Sequence, residues 1–402
     1  MSDIVIIGAG HAGVAAATEL HRLDNQLTIT IVSNESWLPY HRPPLSKKTL
    51  FNAQPSMDLL QTELFYNTKE INLLRNQSVI NIDRQHQLVE LASGQKLTYN
   101  QLIIATGSCL QRITVKGGEL AKGVYNYDDI LSLGPKLQAA KRVLVIGGGF
   151  IGCEVAAGAL KMGKHVDLLI TGSRALRKAV APTMGELVTQ LHKANGMKIY
   201  TGCCVNHIDN AGVDTNQGSF ATDLVIAGIG AKPNTKLAEA AGLEVDNGIV
   251  VDQFGQTTDP NIYASGDVSS FPLAGRMQRL ESIQNATDQS QVIAANICAH
   301  YHRTDVKAYS PTPWFWSDQG DLRIQMAGLS ALSTEQKTLS TSDGNRMTAL
   351  HLKDGLLTAV DTLNMPGNHL AARKLLSMPV EITWKMVQDR DEDLKQLYKE
   401  LR

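Results

Sequence analysis

Glycines with the spacing of a phosphate-binding loop stand close to the N-terminus. Residues 8–13 read GAGHAG and lie between an apolar run, Ile4–Ile7, and a segment with helical spacing of apolar residues, Ala12–Leu23. A β-branched apolar run, Thr28–Val32, follows. In such a unit the first glycine allows the tight turn, the second lets a pyrophosphate approach the backbone, and the third lets helix pack on strand. The phosphates lie at the positive end of the helix dipole, so the unit predicts a bound dinucleotide.

The same arrangement occurs a second time in the middle of the chain. Residues 147–152 read GGGFIG, after the strand-like run Val143–Ile146 and before a helical segment, Ile151–Met162, and a second strand, Val166–Ile170. Each unit requires its own nucleotide, so the chain is predicted to bind two. The usual pair is FAD in the N-terminal unit and NADH or NADPH in the inserted one. The predicted chemistry is therefore electron transfer from a nicotinamide nucleotide to a flavin.

The residues after the second strand of each unit bear on which nucleotide is bound. In the first unit Glu35, beside Asn34, is the acid available to bind the adenosine ribose; the alternative for Glu35 is an exposed loop charge. In the second unit no acid follows the strand, whereas Arg174, Arg177 and Lys178 could bind a 2′-phosphate. A solvated surface explains these basic residues equally well, so the choice between NADH and NADPH stays open.

Composition excludes several classes of function. The chain has 402 residues, of which 43% are hydrophobic and 19% charged, and a formal net charge of −1. No global field therefore favours nucleic acid or an anionic membrane surface. No apolar stretch reaches the ~18 residues of a membrane span, and the N-terminus lacks the features of a signal peptide. The five cysteines include no CxxC pair, which argues against a disulfide framework, a zinc site and a dithiol redox centre. A cytoplasmic protein without a metal is expected.

Further strands are predicted between and after the two units. Those ending in small residues are Leu102–Gly107, Leu224–Gly230 and Ile262–Ser265. Beyond residue 310 the pattern changes, because two alternating segments, Thr348–Leu352 and Leu357–Val360, flank the turn Lys353–Gly355. This pattern indicates a small α+β domain at the C-terminus.

Short characteristic segments are spread along nearly the whole chain: they are 41–47 (HRPPLSK), 105–107 (ATG), 147–154 (GGGFIGCE), 227–230 (AGIG), 265–267 (SGD), 279–282 (RLES) and 313–319 (PWFWSDQ). Together, and in this order, they resemble one family, the FAD-dependent NAD(P)H:ferredoxin reductases of oxygenase systems. The resemblance implies an α/β, glutathione-reductase-like fold with two Rossmann-type dinucleotide-binding domains and a small α+β C-terminal domain. It places the FAD-binding domain at 1–112 and 243–312, the NAD(P)H-binding domain at 113–242 and the C-terminal domain at 313–402.

The resemblance also implies a catalytic pair, Lys47 and Glu154. Lys47 would lie near flavin N5 and pair with Glu154, which would face the nicotinamide, while Asp267 would hold the ribityl chain and Trp316 would lie beside the isoalloxazine. A lysine can offset charge that develops on a reduced flavin, and a closed site keeps both charges compensated. The alternatives are an exposed lysine after a proline-stiffened loop and a polar residue at the start of a helix.

The full set of predicted contacts covers both nucleotides. For FAD they are Gly8, Gly10, His11, Ala12, Gly13, Asn34, Glu35, Arg42, Lys47, Val79, Ala105, Thr106, Gly107, Gly266, Asp267, Glu281, Ser282, Ile283 and Trp316. For NAD(P)H they are Gly147, Gly149, Phe150, Ile151, Gly152, Glu154, Arg174, Gly228, Ile229 and Gly230. The chain departs from the family pattern at Asn34, Tyr125, Ile170 and residues 108–112, where the family has an acid, an arginine, an acid and an RPR segment.

The resemblance implies that NAD(P)H reduces FAD and that single electrons pass to a [2Fe–2S] ferredoxin, indirectly serving a P450 or ring-hydroxylating oxygenase. The alternatives are a rubredoxin reductase, a flavin redox protein like apoptosis-inducing factor, and a thiol-based reductase. Residues 33–108 contain no cysteine, which disfavours the thiol-based alternative because it needs a thiol facing the flavin. No nucleic-acid or membrane partner is expected, and the chain would be a monomer or a homodimer.

Overall fold

A computed structural model describes residues 2–340 and 344–402 of the chain. It divides into two compact units, each built from three segments. The first unit comprises the residues up to His41, Met57–Cys109 and Ala231–Pro311. The second comprises Arg42–Ser56, Leu110–Gly230 and Thr312–Arg402. The division into three domains by bound nucleotide stays a prediction.

The first unit is organised around a parallel sheet. Its strands, numbered in chain order, are β1 (Ser2–Ile7), β2 (Ile29–Val32), β3 (Asn72–Leu74), β4 (Val79–Asp83), β5 (Leu88–Leu91), β6 (Lys96–Ile104), β15 (Ala231–Pro233), β16 (Ile249–Val250), β17 (Ile262–Ala264), β18 (Ser269–Leu273) and β19 (Arg276–Gln278). Its helices are α1 (His11–Leu23), α3 (Glu63–Thr68), α7 (Lys236–Ala240) and α8 (Ile283–His302). Strands β3, β2, β1, β6 and β17 are parallel neighbours in that order.

Burial explains why β1 is a run of apolar residues rather than an alternating strand. Val5 pairs with Thr30 on one side and with Leu102 on the other, and residues 4–7 are all buried. A strand covered on both faces needs apolar side chains throughout. Helices α1 and α8 pack on each other, and they share one apolar core with the sheet, to which Leu20 and Ile297 contribute. The sheet therefore delivers the loop after β1 to a fixed position at its carboxyl edge.

The second unit repeats the parallel arrangement and adds an antiparallel sheet. Its strands are β8 (Arg142–Ile146), β9 (His165–Ile170), β10 (Lys198–Thr201), β11 (Val205–Asp209), β12 (Gly212–Thr215), β13 (Gly218–Ala221), β14 (Leu224–Ala227), β20 (Trp314–Gln319), β21 (Leu322–Gly328), β22 (Glu335–Ser340), β23 (Met347–Lys353) and β24 (Leu356–Leu363); β7 (Ser108–Leu110) crosses the unit boundary. Its helices are α2 (Lys48–Phe51), α4 (Tyr127–Ala139), α5 (Phe150–Lys161), α6 (Pro182–Ala194), α9 (Pro366–Leu376), α10 (Trp384–Gln388) and α11 (Leu394–Leu401). The parallel order β10-β9-β8-β14 matches β3-β2-β1-β6 of the first unit.

The C-terminal segment forms the sheet β20-β21-β24-β23-β22, with an apolar core shared by α9, α10 and α11. The predicted turn between the last two strands is confirmed. Asp354 and Gly355 both have positive φ, 52° and 76°, as a two-residue hairpin turn that follows the strand twist requires.

A buried histidine–aspartate pair links the neighbouring strands β23 and β24 of this sheet. His351 Nε2 lies 2.8 Å from Asp361 Oδ2, which also accepts a hydrogen bond from the Ala181 backbone at 2.8 Å. Because Asp361→Ala leaves both buried groups without their acceptor, it should lower the free energy of unfolding by roughly 3 kcal/mol. Denaturant unfolding of the variant measures this. Asp389→Ala, which removes the exposed pair with Lys385, should cost less than about 1 kcal/mol; equal losses in the two variants would contradict the expectation.

Candidate functional site

The loop after β1 has the shape that a pyrophosphate-binding turn requires. Gly8 has φ +111°, and a Cβ there would lie 2.2 Å from the Ala105 carbonyl oxygen. A Cβ on Gly13 would lie 1.9 Å from the Gly8 carbonyl oxygen. Both positions therefore require glycine on steric grounds. At Gly10, by contrast, no heavy atom of the described chain lies within 4 Å of the Cβ position. This open space, at the N-terminus of α1, fits the approach of a phosphate group.

Other predicted FAD contacts in the first unit are held by defined partners. Glu35 is half-buried and accepts a hydrogen bond from the Tyr40 hydroxyl at 2.6 Å, so it is more than an exposed loop charge. Asn34 is exposed. His11, the first residue of α1, lies with its Nε2 3.2 Å from Nδ1 of His41.

Two more groups of predicted contacts follow the carboxyl ends of β6 and β17. Thr106 donates to the Asn234 carbonyl at 3.0 Å, and Gly107 has φ +64°. Asp267 has the Ser108 hydroxyl 3.5 Å from its carboxylate, and its carbonyl accepts from Arg279. The remaining predicted contacts of this unit are Ala12 in α1, Val79 at the start of β4, Gly266 with φ +76°, Glu281 paired with Arg279, Ser282 as the N-cap of α8, and Ile283 as its first residue.

The second glycine loop has the same geometry as the first. Gly147 has φ +112°, and a Cβ there would lie 2.3 Å from the Gly228 carbonyl oxygen. A Cβ on Gly152 would lie 2.0 Å from the Gly147 carbonyl oxygen, whereas at Gly149 the nearest described atom is 3.8 Å away. Gly228 is itself constrained, because its Cβ would lie 2.8 Å from the Gly152 backbone. At the three glycine positions of the fingerprint, each loop thus has two packed glycines and an open one between them.

The end of β9 offers basic and apolar groups but no carboxylate. Ile170 is buried, and its Cδ1 would lie 2.8 Å from a Cβ on Gly148. Arg174 has a buried Nε that makes no hydrogen bond in the part of the chain that the structure describes. Arg177 and Lys178 are exposed. The other predicted contacts of this loop are Phe150 and Ile151 at the start of α5, and Ile229 and Gly230 after β14.

Glu154 is the centre of a buried cluster of hydrogen bonds in the second unit. It is the fifth residue of α5, and its side chain is 4% exposed. Its Oε2 accepts from Lys47 Nζ at 2.9 Å and from Ser46 Oγ at 2.5 Å, and its Oε1 accepts from Ser317 Oγ at 2.6 Å. The lysine comes from the loop before α2 and the second serine from β20. The predicted pairing of Lys47 with Glu154 is therefore present, with two hydroxyl donors in addition.

The roles of Ser46 and Ser317 are not apparent from the sequence, although both residues lie within the segments HRPPLSK and PWFWSDQ. Ser46 directly precedes the predicted Lys47, and Ser317 directly follows the predicted Trp316. A hydroxyl next to a predicted site residue is the signal that could have found them. Arg42 and Tyr125 form a further pair that the sequence does not reveal: the Arg42 guanidinium lies 5.1 Å from the Tyr125 ring centre and donates to the Tyr125 carbonyl at 3.1 Å. Tyr125 stands where the family pattern has an arginine, and in this chain it contacts an arginine, Arg42.

Aromatic side chains cluster on β20 of the second unit. Trp316 stacks on Trp314 with ring centres 5.6 Å apart, and the Arg373 guanidinium lies 3.9 Å from the Trp314 ring centre. Of the predicted FAD contacts, Arg42, Lys47 and Trp316 belong to the second unit, together with the predicted NAD(P)H contacts, and the others belong to the first.

Two of the buried cysteines, Cys153 and Cys298, are poorly suited to act as thiolates. Burial raises the pKa of the Cys153 thiol to about 12 and that of the Cys298 thiol to about 11, so neither is a ready thiolate. In residues 2–340 and 344–402 no group of three or more His, Cys, Asp or Glu side chains is arranged to hold a metal ion. No helix within those same ranges is long and apolar enough to cross a membrane.

Comparison with known proteins gives the family. Residues 2–290 match the family described as pyridine nucleotide-disulphide oxidoreductase, and residues 314–398 match the one described as reductase C-terminal. Rhodocoxin reductase of Rhodococcus erythropolis is 37% identical, over 98% of this chain and 93% of that protein. The chain belongs to the pyridine nucleotide-disulphide oxidoreductase family.

Solved structures agree with this result. The ferredoxin reductase for the CYP199A2 system from Rhodopseudomonas palustris matches with a TM-score of 0.92 and 34% identity, over 98% of this chain and 99% of that one. A covalent complex of putidaredoxin reductase with putidaredoxin matches with a TM-score of 0.93 and 33% identity, over 99% and 98%. The predicted fold class is confirmed, and the chain is an oxidoreductase that uses FAD and a nicotinamide nucleotide.

Proposed function

We propose that this protein is the ferredoxin-reductase component of an oxygenase system, passing electrons from a nicotinamide nucleotide through FAD to a [2Fe–2S] ferredoxin. The observation that carries the proposal is the pair of partly buried Lys47 and buried Glu154, 2.9 Å apart, on the unit that contains the second glycine loop. Relatives that are named as reductases of rhodocoxin and putidaredoxin support the choice of a ferredoxin as acceptor. The terminal oxygenase would be a P450 or a ring-hydroxylating enzyme.

The residues of the chain would divide the work of binding and orientation. The loop around Gly10 would hold FAD by its pyrophosphate, with Glu35 at the adenosine ribose and Asp267 at the ribityl chain. The loop around Gly149 would hold the nicotinamide nucleotide. Bound FAD supplies the chemistry that accepts a hydride and releases single electrons. Lys47, compensated by Glu154, would keep a positive charge close to the position where negative charge develops.

Anaerobic titration of the purified protein tests the proposal. NADH or NADPH should bleach the flavin absorbance at one nucleotide per flavin, and the reduced protein should then reduce a [2Fe–2S] ferredoxin over many turnovers. No bleaching by either nucleotide would refute the proposal. Bleaching without multiple turnover on any ferredoxin would favour a flavin redox sensor, and turnover with rubredoxin alone would favour a rubredoxin reductase.

Ile170 gives a prediction about the choice of nucleotide. In Ile170→Glu a carboxylate replaces the apolar end of β9, where it can accept hydrogen bonds from the ribose hydroxyls and repel a 2′-phosphate. The ratio of kcat/KM for NADH to that for NADPH should rise roughly tenfold or more. Steady-state kinetics with both nucleotides measures the ratio. The matched variant Ile199→Glu, on the neighbouring strand β10, should not change it; an unchanged ratio in Ile170→Glu would count against this role of the position.

A further inference from the structure

The hydrogen bonds at Glu154 continue beyond its immediate donors into the interior of the second unit. Ser317 Oγ donates to Glu154 Oε1 at 2.6 Å and accepts from Gln319 Nε2 at 3.2 Å. Gln319 Oε1 in turn lies 2.8 Å from His192 Nε2. Ser317, Gln319 and His192 are 0%, 1% and 2% exposed. The chain of contacts therefore joins Glu154 in α5 through β20 to a histidine in α6.

The Glu154 carboxylate, at one end of this series of hydrogen bonds, fixes the direction of each of them. A carboxylate only accepts, so the Ser317 hydroxyl must donate to it. The Ser317 oxygen can then accept, and the Gln319 amide must present its NH₂ to it, which leaves the Gln319 carbonyl oxygen facing His192. His192 must therefore carry its proton on Nε2. Burial lowers the pKa of His192, which favours the neutral ring that this arrangement needs.

We propose that Ser317, Gln319 and His192 are positioning residues that hold the Glu154 carboxylate, and through it the Lys47 ammonium, in the geometry required for flavin reduction. That these residues serve flavin reduction rests on the function proposed above. Among the described residues, Glu154 has two donors on Oε2, Ser46 and Lys47, and one on Oε1, Ser317. Loss of the Ser317 hydroxyl removes the one donor to Oε1 that the structure describes and allows the carboxylate to rotate. A buried network whose members are all satisfied restricts such motion.

The functional test compares variants at position 317 by anaerobic stopped-flow mixing with the nicotinamide nucleotide. Ser317→Ala should slow flavin reduction about tenfold or more, the fold-change expected on losing one hydrogen bond to a charged group. Ser317→Thr keeps the hydroxyl and should recover most of the rate. The control Thr362→Val removes another fully buried hydroxyl from the same antiparallel sheet and should leave the rate unchanged. Equal rates for Ser317→Ala and the wild type would overturn the proposal.

A second readout does not depend on activity. Nitrogen-15 NMR of the histidine rings, in flavin-free and in flavin-loaded protein, should show His192 with its proton on Nε2. Gln319→Leu removes the acceptor and should shift the His192 Nε2 resonance. A proton on Nδ1 in the wild type would overturn the proposal. If the wild-type flavin is not reduced by either nucleotide, the proposed function fails, whereas the His192 tautomer still decides whether the network exists.

Discussion

Lys47→Met is expected to slow reduction of the flavin by the nicotinamide nucleotide about 10²-fold, the largest effect expected of any single substitution here. Methionine keeps a side chain of similar length but removes the charge that compensates Glu154, whose side chain is 4% exposed. The same charge is the one proposed to offset negative charge on the flavin side. Anaerobic stopped-flow absorbance at the flavin band measures the rate.

The adjacent lysine provides the control for this prediction. Lys48 is exposed, whereas Lys47 is partly buried against Glu154. Lys48→Met should therefore reduce the rate by less than about twofold, because an exposed charge is screened by solvent. Flavin content should be the same in both variants. A wild-type rate in Lys47→Met would show that the pair with Glu154 is structural only.

The second large effect concerns the open glycine of each loop. Gly10→Ala should fold normally, because no described atom lies within 4 Å of the new Cβ, yet it should weaken FAD binding roughly ten- to a hundredfold through contact with the pyrophosphate. Gly149→Ala should keep its flavin and weaken binding of the nicotinamide nucleotide by a similar factor. Equilibrium dialysis of FAD and the dependence of the reduction rate on nucleotide concentration measure the two effects.

These two variants test which loop binds which nucleotide. Gly134→Ala is the matched control, since its Cβ position is also open and it lies in α4, outside both loops. It should change neither affinity. If Gly149→Ala instead lost its flavin and Gly10→Ala kept it, the assignment of FAD to the N-terminal loop would be reversed.

Local patterns in the sequence predict much of the fold and part of the site. The apolar run of β1, the glycine spacing and the hairpin at Asp354-Gly355 follow from local rules, because burial on two faces and positive φ each select particular residue types. Pairing of Lys47 with Glu154 was available only through resemblance to a family. Nothing in local periodicity relates residues of the loop before α2 to residues of α5.

The rest of the site lies beyond such reasoning for a physical reason. Ser46, Ser317, Gln319 and His192 are ordinary polar residues within their own segments, and their roles depend on which strands and helices become neighbours. Glu35 shows the same limit, because the sequence alone does not tell whether its carboxylate faces solvent or accepts a hydrogen bond from Tyr40. Contacts between residues that are distant in the sequence depend on the three-dimensional fold, which local patterns do not determine.

The three donors of Glu154 have a consequence for the biogenesis of the enzyme. They come from residues 46–47 and from residue 317, whereas Glu154 lies between them in the chain. On the ribosome, the first glycine loop, the second loop and the Lys47–Glu154 pair are all synthesised before β20. The complete set of donors exists only once the C-terminal sheet has folded against α5. A nascent or truncated chain would therefore form its two glycine loops before the Glu154 carboxylate has all of these donors, so that, under the proposed function, full activity would require the C-terminal sheet.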